Sequence, residues 1–208
     1  MAGVDLTSVS RIILLHGASS AGKTTLSRAI QSELNEPFLH FASDHLAVGL
    51  PPRRDPTGPV ARWSDMRPRF FDGFHRCIAT LAAAGNDLIV EHVIEYPSWR
   101  VALAEMLNPF DVFLVGVHCT VDELERRERA RGDRMIGEAR SHVVNDGVHT
   151  LGPYDYEVET TQRDPSAMAE DLVVHWEHRS RSVLFGTASA ASDAERRTGP
   201  SGDGPGSS

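Results

Sequence analysis

The sequence predicts an α/β fold in which a five-stranded parallel sheet carries helices on both faces. Three observations point there. Short apolar runs alternate along the chain with stretches whose apolar residues recur at helical spacing. The runs are apolar throughout, as in strands buried on both faces. The first run ends in a glycine-rich turn that leads directly into a helical stretch.

The elements follow in order. Residues 11–15 (RIILL) form a strand that ends at Gly17. Residues 23–34 form a helix with a stripe of Leu26, Ala29, Ile30 and Leu34. Residues 38–42 are a second strand, closed by Ser43 and Asp44. Residues 50–69 are rich in Pro, Arg and Asp and read as a loop insertion. Residues 70–84 are helical and stop at Gly85-Asn86. Residues 87–93 (DLIVEHV) are a third strand, with Glu91 near its end. Pro97 opens a helix to residue 107. Residues 112–117 are a fourth strand and 121–131 a charged helix that Gly132 breaks. A helix over 136–144, a weaker strand over 156–160 and a last helix from Asp164-Pro165 to about residue 179 complete a single domain over residues 1–186. Residues 187–208 have almost no large apolar side chains and read as a disordered tail.

The bulk properties narrow the function. At net charge −8 the chain has no basic excess for neutralising nucleic-acid phosphates. No stretch approaches the roughly 20 apolar residues of a membrane span, and the N-terminus lacks the apolar core of a signal peptide. These features read as a cytoplasmic protein. The two cysteines, Cys77 and Cys119, have no ligand or redox spacing and read as small buried residues.

Gly17-Ala18-Ser19-Ser20-Ala21-Gly22-Lys23-Thr24 satisfies G-x-x-x-x-G-K-[ST] at every fixed position, between a strand and a helix. Glycines let backbone N–H groups turn inward around a β-phosphate, and the helix after them adds its positive end. Lys23 reaches phosphate oxygens, and the Thr24 hydroxyl is a ligand for Mg²⁺. Thr25 follows in the first helical turn. The expected ligands are ATP and Mg²⁺; the motif alone does not distinguish a kinase from a GTPase, a motor or a regulatory ATPase.

Ligands of a parallel sheet gather beyond the carboxyl ends of its strands. Asp44 ends the second strand and suits the base, or orienting acceptor, for an attacking hydroxyl; the alternative is a helix N-cap. Glu91, at the third strand end, suits a carboxylate that holds the metal through water. His45 and His92 flank these positions as structural histidines or as pocket residues. The run Arg126 to Arg134 is the densest basic stretch in the chain. Arg127, Arg131 and Arg134 share a helix face if the helix persists. They form an arginine lid over about 126–136, with Gly132 as its hinge, that matches the charge of a transferring phosphoryl group. The alternative is a solvated face in which Glu123, Glu125 and Glu128 pair the arginines. Arg129 points elsewhere.

These residues resemble the chloramphenicol phosphotransferase family of P-loop kinases. The phosphate loop is similar to that family's GGSSAGK, Arg127 to Arg134 to its RETARGDR, VVNDGV (143–148) to VVHEGV and YDYEVETT (154–161) to YDVEVDTT. The resemblance implies ATP-dependent phosphorylation of a hydroxyl on a small antibiotic. It implies Asp44 as base, Arg127, Arg131 and Arg134 as lid residues, and the 160–165 segment against adenine. The chain departs from the family at Glu91-His92, where two aspartates are expected, and in a shorter insertion. Trp63 and Phe70 in that region, with Phe71 and Phe74, are candidate walls of an apolar acceptor site; for the phenylalanines core packing is the alternative. A metabolite or nucleotide kinase and a nucleotide-binding regulatory or toxin-like module remain as rival functions. The oligomeric state stays open, a homo-oligomer included.

Overall fold

The structure, a computed structural model, describes residues 9–49, 63–131, 137–144 and 147–179, apart from the side chains of Ser64, Arg131 and Leu151. Most of the insertion (50–62), Gly132 and Arg134 of the lid, and the predicted tail lie outside the described residues.

Five strands form one sheet: β1 (Arg11–His16), β2 (Leu39–Ala42), β3 (Leu88–His92), β4 (Asp111–His118) and β5 (Tyr156–Glu159). Their order is β2-β3-β1-β4-β5, and every pairing is parallel. The register aligns the functional ends, with Leu15 opposite Glu91 and Ala42 opposite Glu91. The helices are α1 (Lys23–Glu33), α2 (Ser43–Ala47), α3 (Trp63–Ala83), α4 (Pro97–Leu107), α5 (Val121–Arg131), α6 (Glu138–Val144) and α7 (Pro165–Glu177).

Alternation along β1 divides the core in two. Ile13 and Leu15 pack with Leu26, Ile30, Leu172 and Trp176 of α1 and α7. Ile12 and Leu14 pack with Phe74, Ile78, Leu103 and Leu107 of α3 and α4. Both faces of the sheet are therefore covered, as the unbroken apolar runs require. Among the described residues no helix is long and apolar enough to cross a membrane.

Three readings need correction, and two short elements are added. The segment from Trp63 to Arg69 is helix rather than loop, and α3 runs through Pro68. Proline removes one N–H from the ladder, and contacts outside the helix hold the turns around it. Arg67 lies over the rings of Phe71 at 4.9 Å and Trp99 at 5.3 Å and pairs with Glu95. The helix α2 and a 3₁₀ turn at Val148–Leu151 were not foreseen. Asp44 is not the N-cap of α2; Ala42 holds that position, and Asp44 sits in the first turn. Cys77 and Cys119 are free thiols and only partly buried.

Candidate active site

Because β1 is the middle strand, the loop that leaves it opens at the centre of the sheet's carboxyl edge. Gly17 has no room for a side chain: a Cβ there would lie 2.3 Å from the Val117 carbonyl oxygen. Gly22 has φ +91°, a left-handed conformation that favours glycine. The first turn of α1 has no side-chain cap, so its N–H groups face the loop. Lys23 is buried, and its Nζ donates to the carbonyl oxygens of Gly17 at 2.8 Å and Ala18 at 2.6 Å. The Ser20 hydroxyl is buried with no hydrogen-bond partner among the described residues. An uncapped helix start, a left-handed glycine and an orphan hydroxyl fit a cradle for phosphate oxygens.

Glu91 lies one residue before the end of β3. Thr24 Oγ1 donates to its Oε2 at 2.8 Å and Ser27 Oγ to its Oε1 at 3.1 Å; His40 Nε2 lies 2.5 Å from Oε1. Burial works to raise the Glu91 pKa, but the His40 hydrogen bond, the Lys23 charge and the Thr24 hydrogen bond outweigh it, and the carboxyl is held below its ordinary value. A hydroxyl beside a carboxylate suits Mg²⁺, which keeps waters and phosphate oxygens as its other ligands. Among the described residues no cluster of three or more His, Cys, Asp or Glu forms an all-protein metal site.

A cavity of about 420 Å³ runs along this edge. Ser19 to Thr25 line it, together with Asp44, Glu91, His92, Arg126 and Arg127. Thr160, Arg163 and Pro165 also line it, so the predicted 160–165 segment reaches the same cavity. Gly17 and Ala18 lie at the base of the loop. His45, Trp63 and Phe70 do not line the cavity. His45 instead accepts from the Ala42 N–H at 3.2 Å, and Trp63 and Phe70 pack on each other at 5.3 Å.

Arg127 fastens three elements together. Its Nε donates to Glu123 at 2.8 Å, one terminal nitrogen donates to the Thr160 carbonyl at 2.8 Å, and the other reaches Thr160 Oγ1 at 3.2 Å and the Ser20 carbonyl at 3.4 Å. Glu123 also pairs Arg126, and Glu125 lies 3.6 Å from the exposed Arg129. Glu128 behaves differently. It is 1% exposed and accepts from the backbone N–H of Gly137 and Ala139. The side chain of Arg131, and Arg134 altogether, lie outside the described residues.

His92 is buried, with its Nε2 2.8 Å from Nε2 of His75 and its ring stacked on Trp99. Burial first, and then the neighbouring His75 and His16, press its pKa well below the ordinary histidine value. It is thus a neutral wall of the cavity. Sequence reasoning missed His40 and His142 as partners of the site, and it read Glu128 only as a surface pair for the arginines. The one available signal was His40, a polar residue inside an apolar strand; the others sit in polar or charged surroundings that hide them.

The family described as "Chloramphenicol phosphotransferase-like protein" matches residues 10–177 of the chain. A protein of Mycobacterium tuberculosis, found in strains CDC 1551 / Oshkosh and H37Rv and named "Putative O-phosphotransferase", is 29% identical over 188 residues, or 78% of this chain and 80% of the relative. Among solved structures, the fold is similar to the APS kinase of M. tuberculosis in complex with AMPPNP and APS (TM-score 0.57, 16% identity, 81% of this chain and 98% of that one). It is also similar to the tunicamycin resistance protein of Deinococcus radiodurans (TM-score 0.57, 17% identity, 79% and 94%). A third likeness is the shikimate kinase of Acinetobacter baumannii in complex with shikimate (TM-score 0.52, 17% identity, 80% and 92%). At these identities the solved structures speak for the fold alone, that of the P-loop kinases.

Proposed function

The chain belongs to the chloramphenicol phosphotransferase-like family, and we propose that it transfers the γ-phosphate of ATP to a hydroxyl of a small-molecule antibiotic. It is a phosphotransferase acting on a hydroxyl. The observation that carries the finer reading is a single cavity of about 420 Å³ shared by the phosphate loop, Asp44, Glu91 and Arg127.

Asp44 orients the acceptor hydroxyl and takes its proton as the oxygen bonds to the γ-phosphorus. The bond from that phosphorus to the bridging oxygen breaks, and ADP leaves. Lys23, parked in the structure on the Gly17 and Ala18 carbonyls, turns its ammonium to the phosphate oxygens. Arg127 stands beside the loop, and Arg131 and Arg134 complete the cationic lid. Thr24 and Glu91 would hold Mg²⁺, which supplies positive charge at the phosphate oxygens. His92 closes one wall of the cavity.

An ATP-consumption screen tests the reading. Hydroxyl-bearing antibiotics and central metabolites are offered in parallel, and the product mass is measured. The expected result is turnover with an antibiotic and a product heavier by one phosphoryl group. Turnover confined to central metabolites would transfer the assignment to a metabolic kinase, and ATP hydrolysis without any acceptor would favour a regulatory module.

A further inference from the structure

Backbone N–H groups are the working surface of a phosphate loop. One of them, on Ser19, donates to Nδ1 of His142 at 3.2 Å. His142 is far from the loop in sequence, on α6, and is 8% exposed. For Nδ1 to accept, the imidazole must be neutral there and carry its proton on Nε2.

His142 is itself held through α6. Glu128 of α5 accepts from the N–H of Gly137 at 2.9 Å and of Ala139 at 2.6 Å, at the start of α6. Gly137 has φ +96°, a left-handed turn that favours glycine. Ala139 is fully buried in the core beside the phosphate loop, and Arg140 pairs with Glu125 of α5 at 3.0 Å. The chain of contacts therefore runs from α5, which carries Arg126 and Arg127, through Glu128 to α6, and through His142 to the loop. A buried carboxylate that accepts from two backbone N–H groups is a strong charge-assisted tie.

We infer that His142 is a positioning residue for the nucleotide. It holds the Ser19 segment of the loop in the conformation that receives the terminal phosphates, and Glu128 makes that hold depend on the placement of the arginine-bearing helix. The inference rests on the ATP-binding reading above. A histidine kept only to fill volume has no need to aim Nδ1 at a loop amide.

Calorimetric binding of a non-hydrolysable ATP analogue, with no acceptor present, tests this separately from transfer. His142→Ala is expected to weaken the dissociation constant about tenfold, the scale of a buried amide that loses its acceptor. His142→Asn, whose Oδ1 stands where Nδ1 did, is expected to stay within about twofold of the parent protein, since one acceptor replaces another. Glu128→Gln is expected to weaken binding in the same direction, and kcat at saturating ATP is expected to stay near the parent value in the His142 variants. Equal affinity of His142→Ala and the parent, or equal weakness of the Asn and Ala variants, would overturn the inference. If His142→Ala does not fold by circular dichroism, His142→Gln takes its place; its Oε1 lies one bond farther out, and affinity equal to that of the Asn variant would overturn the inference as well. Failure of the parent protein to bind the analogue would overturn the ATP-binding reading itself.

Discussion

Asp44 lines the cavity from the first turn of α2, together with the glycine-rich loop. A carboxylate in a first turn is favoured by the helix dipole, so its placement carries no penalty when no substrate is bound. Replacement by asparagine keeps the shape and removes the basicity. Asp44→Asn is expected to lower kcat about 10²- to 10⁴-fold, the usual worth of a positioned base. The dissociation constant for ATP should hardly change, because the loop is untouched. A coupled assay and a binding titration on the same variant check this, and turnover like that of the parent protein would remove Asp44 from the role. The loop itself was legible at this scale because its chemistry demands fixed residue types at fixed spacing. Glu91 was legible as a carboxylate at a strand end. Its partners Ser27 and His40 were not, because they meet it only after three elements have come together. The departure at Glu91-His92 also resolves in physical terms: the longer acid reaches three donors, and His92 pairs with His75.

At the scale of elements, Arg127 is the clasp between α5, the phosphate loop and the end of β5. Its planar guanidinium reaches Glu123, Ser20 and Thr160 together. The ammonium of lysine is a compact point charge and lacks the width of that planar fork. Arg127→Lys is expected to reduce kcat/KM for ATP by about tenfold or more while costing about 1 kcal/mol or less in stability, as for other partly exposed ion pairs. Steady-state kinetics and a denaturant titration separate the two effects, and unchanged kinetics would leave the clasp without a part in the reaction. The legible elements were those whose local signals agree with their packing. Pro97 at the first position and an apolar stripe gave α4, and Asp164, which accepts from the Ala167 N–H, with Pro165 gave α7. The start of α3 was illegible because Pro68 is locally a breaker, while Arg67 against Phe71, Trp99 and Glu95 holds the turns beside it. The turn of α2 is too short to show any helical period.

Across the whole molecule, folding keeps several histidines neutral. His16 is held down to about 3, chiefly by burial, and both of its ring nitrogens are engaged: the Ile94 N–H donates to Nδ1 and Nε2 faces the Val148 carbonyl. His75 is held down to about 4 by burial, and it shares a hydrogen bond with His92, so one of the two facing nitrogens must stay bare. His149 is held down to about 4 by burial and by His118, stacked on it at 4.0 Å. The ordinary value for all of them is 6.5. Below that pH the unfolded chain takes up protons that the folded chain refuses, so stability is full above about pH 6.5 and declines as pH falls toward the folded values. Each such histidine contributes a slope of about 1.4 kcal/mol per pH unit while only the unfolded chain is protonated. The buried carboxylate Glu91 has a depressed pKa, so its contribution is lost only below its ordinary value of 4.5. The interval between about pH 6.5 and 4.5 therefore isolates the histidines. Urea unfolding from about pH 7.5 to about pH 5 is expected to show a midpoint that falls steadily below pH 6.5 with little change in slope. A midpoint that stays level over this range would mean that the histidines accept protons inside the fold and that the cavity wall at His92 is not the neutral surface described here.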